Sequence, residues 1–258
     1  MKESKRNILF LVLGSFFIAN AIIAEFIGVK IFSLEKTLGF EPANWQMFGF
    51  ELSFNMTAGV ILWPIVFVMT DIINEYFGHK AVRLYSLIAA TLIAYSFIGV
   101  FTAMHATGAD FWNTKQTESG PLDMNLAYNS IFGQGLWIII GSLVAFLLGQ
   151  LIDVKVFHWV RQNTGDKHLW LRATISTLVS QLIDSFVVLY IAFYLGKLNT
   201  PDQWPLSQVL AICIVNYVYK FTAAFVMIPL LYFIHKLIDA YLGKELAEKM
   251  IQDAAKSE

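Results

Sequence analysis

Three short stretches set polar side chains three residues apart around two aliphatic ones: Asp71-Ile72-Ile73-Asn74, Gln150-Leu151-Ile152-Asp153 and Gln181-Leu182-Ile183-Asp184. On a helix, positions i and i+3 share a face while the pair between them turns elsewhere. Each stretch therefore offers a two-headed hydrogen-bonding unit to one side. Glu75 follows the first and Ser185 the third, and Lys220 stands in an apolar run with Asn216 four residues before it. Carboxylates, amides and one cation suit recognition of a small polar molecule, because a carboxylate accepts two parallel N–H donors and a lysine or amide donates to a carbonyl. They do not suit bond-making chemistry. Ser185 has no base beside it in the membrane, and no nucleophile elbow, H-E-x-x-H metal motif or Gly-rich phosphate loop with its lysine occurs. A potassium-channel filter sequence is also missing. The histidines lie at span ends or in loops, and the single Cys213 excludes an intramolecular disulfide and any Cys-based metal site. No catalytic residue, bound metal or cofactor is expected, and the chain is not expected to be an enzyme or to hydrolyse ATP by itself.

The elements that carry these groups are membrane spans. Hydrophobic residues make up 57% of the 258 and charged residues 14%, with a mean hydropathy of +0.60. A soluble domain carries about 25% charged residues. The polar complement is too small to coat a globule of this size, which excludes a soluble enzyme, a disordered chain and a collagen-like fibre. A net charge of −1 gives no electrostatic case for nucleic acid. Six segments reach the roughly 20 apolar residues a membrane helix needs, at about 8–29, 54–77, 84–104, 131–153, 173–196 and 207–234. Ten-residue units of alternating hydropathy are missing, against a barrel. The expectation is an all-α polytopic membrane protein, with 1–258 as a single membrane domain and six transmembrane helices in one bundle. The first span is read as retained rather than cleaved as a signal peptide.

Of the 18 Lys and Arg, thirteen fall on one side of this topology, Lys167 and Arg172 among them. Only Lys30, Lys36, Lys115 and Lys197 fall on the other, with Lys220 in between. Basic residues stay in the cytoplasm, so both termini are expected there and the loops 30–53, 105–130 and 197–206 outside. At about 1.5 Å of rise per residue, Asp184, Lys220 and Asn20 share a layer near mid-membrane, while Asp71, Asn74, Glu75, Gln150 and Asp153 lie nearer the cytoplasm. A charge at the bilayer centre costs about 2.5–3.5 kcal/mol on insertion scales. Lys220 therefore needs a counter-charge, and Asp184 is closest in depth.

Several of these residues keep two readings. Glu25 either reaches the outer interface or joins the interior group. Glu75 and Asp153 are either ligand groups or boundary charges pairing Arg83 or Arg172. Asn20 and Asn216 either meet a ligand or join helices to one another. Pro64 inside the second span removes a backbone hydrogen bond and frees a carbonyl near Val60, either shaping a cavity by a kink, with Trp63 as a flat wall, or being tolerated by packing. The inner carboxylates either join the Asp184 pocket through that kink or form an inner gate.

Four ordered blocks carry a family resemblance. The stretch from Trp63 to Gly78, Trp-Pro-Ile-Val-Phe-Val-Met-Thr-Asp-Ile-Ile-Asn-Glu-Tyr-Phe-Gly, resembles the signature segment of the queuosine precursor transporter family. Leu148–Phe157, Ser176–Ser185 and Asn216–Lys220 resemble three further blocks of that family in the same order, the last around its intramembrane lysine. The resemblance spans roughly Phe54–Tyr232. It implies a six-helix bacterial inner-membrane importer of 7-cyano-7-deazaguanine and 7-aminomethyl-7-deazaguanine for transfer-RNA modification, similar also to vitamin-uptake membrane subunits. A deazaguanine presents an amide N–H beside an exocyclic amine, which one carboxylate can accept together. Asp184, Lys220, Gln181, Asp71, Asn74, Glu75, Gln150, Asp153, Asn20, Trp63 and Ser185 form the candidate substrate-binding set. The expected partners are the deazaguanine and membrane lipid, with a homodimer allowed and no nucleic acid. Two other readings are a substrate-binding subunit of an ATP-driven uptake complex and, more distantly, an intramembrane enzyme.

Overall fold

A computed structural model of the chain describes residues 2–118, 120–133, 136–164, 168–201 and 203–256. Lys167, counted among the basic residues, and residues 134–135, inside the fourth predicted span, lie outside the described residues. Helix α1 (Lys2–Ile27) leads to β1 (Ile31–Ser33), the short α2 (Leu34–Thr37), β2 (Trp45–Met47), β3 (Phe50–Leu52) and β4 (Asn55–Thr57). A 3₁₀ turn, Ala58–Ile61, enters α3 (Trp63–Phe77), and α4 (His79–His105) returns. Then come β5 (Thr114–Thr117), β6 (Gly120–Asp123), α5 (Met124–Phe132), α6 (Leu136–Thr164) and α7 (Leu169–Leu189), which ends in a π-helical turn, Tyr190–Leu195. Helices α8 (Leu206–Val226), α9 (Ile228–Leu242) and α10 (Lys244–Lys256) complete the order. The protein is mainly helical and polytopic. Among the described residues, five stretches are long and apolar enough to cross a membrane: Glu3–Ile27, His79–His105, α6 within 124–164, Trp170–Leu195 and Leu206–Val226. The strand pairs β1–β4, β2–β3 and β5–β6 cap one end of the bundle, and α10 packs on α3 at the other.

The second predicted span differs from the expectation. Asn55–Thr57 pairs antiparallel with Ile31–Ser33, and only 15 residues, Trp63–Phe77, are α-helical. At about 1.5 Å per residue that is about 22 Å, short of the roughly 30 Å hydrocarbon core. Pro64 does not kink a helix here. It sits in the first turn, where its missing N–H would have had no partner and its fixed φ favours helix entry. The Val60 carbonyl, expected to be freed, accepts the Tyr219 hydroxyl at 3.3 Å. The sixth predicted span is likewise divided. It breaks at Met227, and Pro229 occupies the first turn of α9.

Close packing of α6 on α7 sets the position of the polar groups. Gly141, Ala145 and Gly149 recur every four residues on α6, so they stack along one face. A Cβ at Gly141 would stand 3.0 Å from the Val188 carbonyl of α7, and one at Gly149 would meet Asp184 Cβ at 3.7 Å. Small residues thus let the two backbones approach as membrane helices do when packing replaces the hydrophobic drive. The main apolar core lies around α1, α3 and α4, with Phe17, Val66, Ile72, Val82 and Ile93 fully buried.

At the strand end, Glu35 clasps the first loop. Its carboxylate accepts the Phe54 N–H at 2.8 Å, the Ala43 N–H at 3.3 Å and the Ser33 hydroxyl at 3.1 Å. Burial works against the charge, but these hydrogen bonds outweigh it and hold the carboxyl below its ordinary value. A lowered pKa stabilises the fold fully above the unfolded carboxylate range, and that stability is lost as pH falls through the lowered value. Trp45 packs edge-on against Phe54, with ring centroids 5.1 Å apart. A fluorine label on Trp45 should therefore shift on acidification, and Glu35→Gln should show the same shift at neutral pH. A Glu35→Gln spectrum identical to the wild type would remove the clasp.

Candidate substrate site

Helix α7 carries its buried polar side chains, Ser180, Gln181 and Ser185 among them, toward α6, α3 and α8. Asp184 and Lys220 meet as their depth predicts. Lys220 Nζ is 2.6 Å from Asp184 Oδ2, and the two side chains are 15% and 22% exposed respectively. On the strand side of this pair lies a chamber of about 640 Å³, within the usual range for small-molecule sites. Its walls combine Glu25, Ser142, Asp184, Ser185, Asn216 and Lys220 with the rings of Trp63, Phe146, Phe193 and Trp204. Phe193 belongs to the π-helical turn and stacks on Trp204 at 4.0 Å. Such turns often re-aim side chains at functional sites.

Toward α10 lies a second space of only about 40 Å³, lined by Asp71, Thr174, Thr177, Gln181 and Tyr219. It holds little more than one or two waters. Lys220 and Trp63 line both spaces. The ion pair and the indole thus form a partition between a roomy compartment and a narrow one. Asp71 Oδ1, Gln181 Nε2 and Ser185 Oγ are buried without a hydrogen-bond partner, although buried polar atoms are nearly always satisfied. All three side chains line one or other space, whereas Asn74 Nδ2, Gln150 Nε2 and Asp153 Oδ2, equally without a partner, lie in the polar cluster below.

Beyond the small cavity, a buried polar cluster joins α3 to α6 and α7. Arg172 Nη2 donates to both carboxylate oxygens of Glu75 at 2.9 Å, and Arg161 approaches Glu75 at 3.8 Å. His158 meets Asn74 at 3.1 Å, Thr70 donates to Gln150 at 2.9 Å, and Ser180 donates to Asp153 at 3.2 Å. The candidate residues thus fall into separate groups. Asp184, Lys220, Trp63 and Ser185 surround the chamber, and Gln181 and Asp71 face the small cavity. Asn74, Glu75, Gln150 and Asp153 line neither space. Asn20 also lines neither: its amide turns back to the Phe16 carbonyl at 2.8 Å on its own helix.

Sequence reasoning left Glu25, Ser142 and Asn216 out of the candidate set. Glu25 is buried, its Oε1 accepts the Ser142 hydroxyl, and both line the chamber. The available signal was an acid inside an apolar run, which the interfacial reading also explains.

The profile of the family described as "Putative vitamin uptake transporter" matches residues 57–234. The chain belongs to this family. Over 240 residues it is 33% identical to the "Probable queuosine precursor transporter" of Bacillus subtilis (strain 168), covering 87% of this chain and 96% of that relative. Over 203 residues it is 29% identical to the "Queuosine precursor transporter" of Escherichia coli (strain K12), covering 77% and 79%. A Haemophilus influenzae relative, also named a "Probable queuosine precursor transporter", is 26% identical over 173 residues, covering 66% of this chain and 64% of its own. No solved structure matches. The family relationship read from the four sequence blocks is therefore borne out. The family match includes α3, Asp184 and Lys220 and leaves α1, with Glu25, outside it.

Proposed function

We propose that this protein is an inner-membrane importer of queuosine precursors, taking 7-cyano-7-deazaguanine and 7-aminomethyl-7-deazaguanine into the cell. The relatives' names support transport over enzyme chemistry. The observation that carries the reading is the Asp184–Lys220 pair at the floor of a chamber of about 640 Å³, beside the Trp63 ring. Asp184 accepts the ring amide N–H and exocyclic amine, Lys220 donates to the adjacent carbonyl, and the aromatic walls cover the ring faces. In this reading the chamber opens outward, and the partition with the buried polar cluster beneath it bars the cytoplasmic side. Transport exchanges this closure for one on the outer side.

In this reading the chain crosses six times, with α3 and the 3₁₀ turn before it as the second crossing and both termini in the cytoplasm. The basic-residue asymmetry supports that direction. Lys115 and Lys244 are both exposed and lie at opposite ends of the bundle. With the buried Cys213 replaced, single cysteines at these two positions should react with an impermeant thiol reagent from opposite sides of the membrane. Reaction of both from one side would overturn the topology.

Uptake of labelled deazaguanine into liposomes containing only this chain, without ATP, tests the function. Saturable uptake is expected. Binding without uptake would favour the ATP-driven subunit, and neither binding nor uptake would overturn the ligand assignment.

A further inference from the structure

We propose that Glu25 is the specificity-determining residue for charge, receiving a primary ammonium group on the ligand, so that the aminomethyl deazaguanine is held by an ion pair that the cyano form cannot make. The inference rests on the substrate reading above and adds to it a residue outside the matched family segment. Three carboxylates, Glu25, Glu51 and Asp184, line the chamber, but among the described residues Lys220 is the one basic side chain that does. Lys220 is committed to Asp184 at 2.6 Å. Glu51 lies exposed at the strand end and is served by solvent. Glu25 is different: it is 8% exposed, its side chain is held by a neutral hydroxyl, and among the described residues the chamber's basic side chain is paired with Asp184 rather than with it.

A buried carboxylate facing a polar space without a counter-charge is costly, and a ligand cation relieves that cost. The chamber wall also carries a second polar group open to a ligand. Ser185 is 2% exposed, lines the same chamber, and its Oγ has no hydrogen-bond partner. The placement fits the ligand's shape. The 7-substituent leaves the five-membered ring, away from the amide and exocyclic amine that Asp184 would accept. Reading both parts needs carboxylates on separate chamber walls, and Glu25 on α1 and Asp184 on α7 supply them. Ser142 on α6 fixes one Glu25 oxygen and leaves the other for the ammonium group.

The test is equilibrium binding of both deazaguanines to the full-length protein in lipid nanodiscs, comparing wild type, Glu25→Gln and Glu25→Asp. The wild type should bind the aminomethyl form at least tenfold more tightly than Glu25→Gln does, while affinity for the cyano form changes less than twofold. Glu25→Asp, which keeps the charge, should recover part of the difference. Equal losses on both ligands, or no loss on either, would overturn the assignment while leaving the transporter reading intact. If the wild type binds neither ligand, the substrate reading falls and this inference with it. Should Glu25→Gln fail to fold, the wild type still decides. Raising salt should weaken the aminomethyl form more than the cyano form, and identical salt dependence for both would overturn the ion pair.

Discussion

Lys220→Ala should lower deazaguanine uptake about a hundredfold. Removing the ammonium group leaves Asp184 without its 2.6 Å partner in the chamber floor, with Glu25 near enough to repel it. Breaking a buried ion pair costs about 3–5 kcal/mol. The side chains keep 15% and 22% of their exposure, which brings the effect just below that range, and about 2.8 kcal/mol is about a hundredfold. Asp184→Asn separates charge from shape. It keeps the side chain's size but places an amide donor against the ligand's N–H donors, and an unmet buried polar group costs about 1–3 kcal/mol. Both deazaguanines share that ring edge and should weaken together, unlike the one-sided effect expected for Glu25. Proteoliposome uptake and nanodisc binding measure the two effects. Wild-type uptake by Lys220→Ala would remove the pair from the site.

The second large effect concerns assembly. Arg172→Ala should lower membrane yield and thermal stability sharply. Arg172 is fully buried, and its two 2.9 Å hydrogen bonds to Glu75 tie α7 to α3. The cost of breaking such a pair is about 3–5 kcal/mol, and Arg161, at 3.8 Å from Glu75, is a poorer donor. The removed cation also stands near Asp71, whose carboxylate already shares the region with Asp153 and Glu75. Replacing Glu75 and Arg172 together by Gln and Met should recover part of the loss, because the pair's desolvation cost disappears with its attraction. Unfolding in detergent, followed by a fluorescent thiol probe of Cys213, gives the comparison. An Arg172→Ala midpoint within a degree of the wild type would refute a structural role.

The sequence made the Asp184–Lys220 contact legible because a lone membrane lysine needs an anion and helical rise fixes depth. It also offered Arg172 as a partner for Glu75. Depth does not fix rotation about a helix axis, however. Rise alone places Asn20 in the layer of Asp184 and Lys220, yet its amide serves the Phe16 carbonyl. Hydropathy also cannot distinguish an apolar helix from an apolar strand entering one. The run 54–77 reads as one span, but the pairing of Asn55–Thr57 with Ile31–Ser33 decides where helix α3 begins. Glu25 escaped the candidate set because its partner, Ser142, is 117 residues away. No local pattern could announce that contact. The division of the inner carboxylates between a small cavity and a buried polar cluster likewise depends on how α3, α6 and α7 pack.

Helix α3 also has a consequence for how the chain is made. It leaves the ribosome carrying Asp71, Asn74 and Glu75, but Gln150 comes 80 residues after Thr70 and Arg172 comes 97 residues after Glu75. At about 5–20 residues per second, the delay between Glu75 and Arg172 is roughly 5–20 s. During that interval a short acidic segment waits beside the insertion machinery without its later-made partners. A nascent chain that terminates before α7 keeps Glu75 without the arginine that holds it in the finished protein. Completion of synthesis and burial of the acid are thus tied together, so a chain truncated before α7 leaves the Glu75 carboxylate of a mostly apolar helix without its arginine.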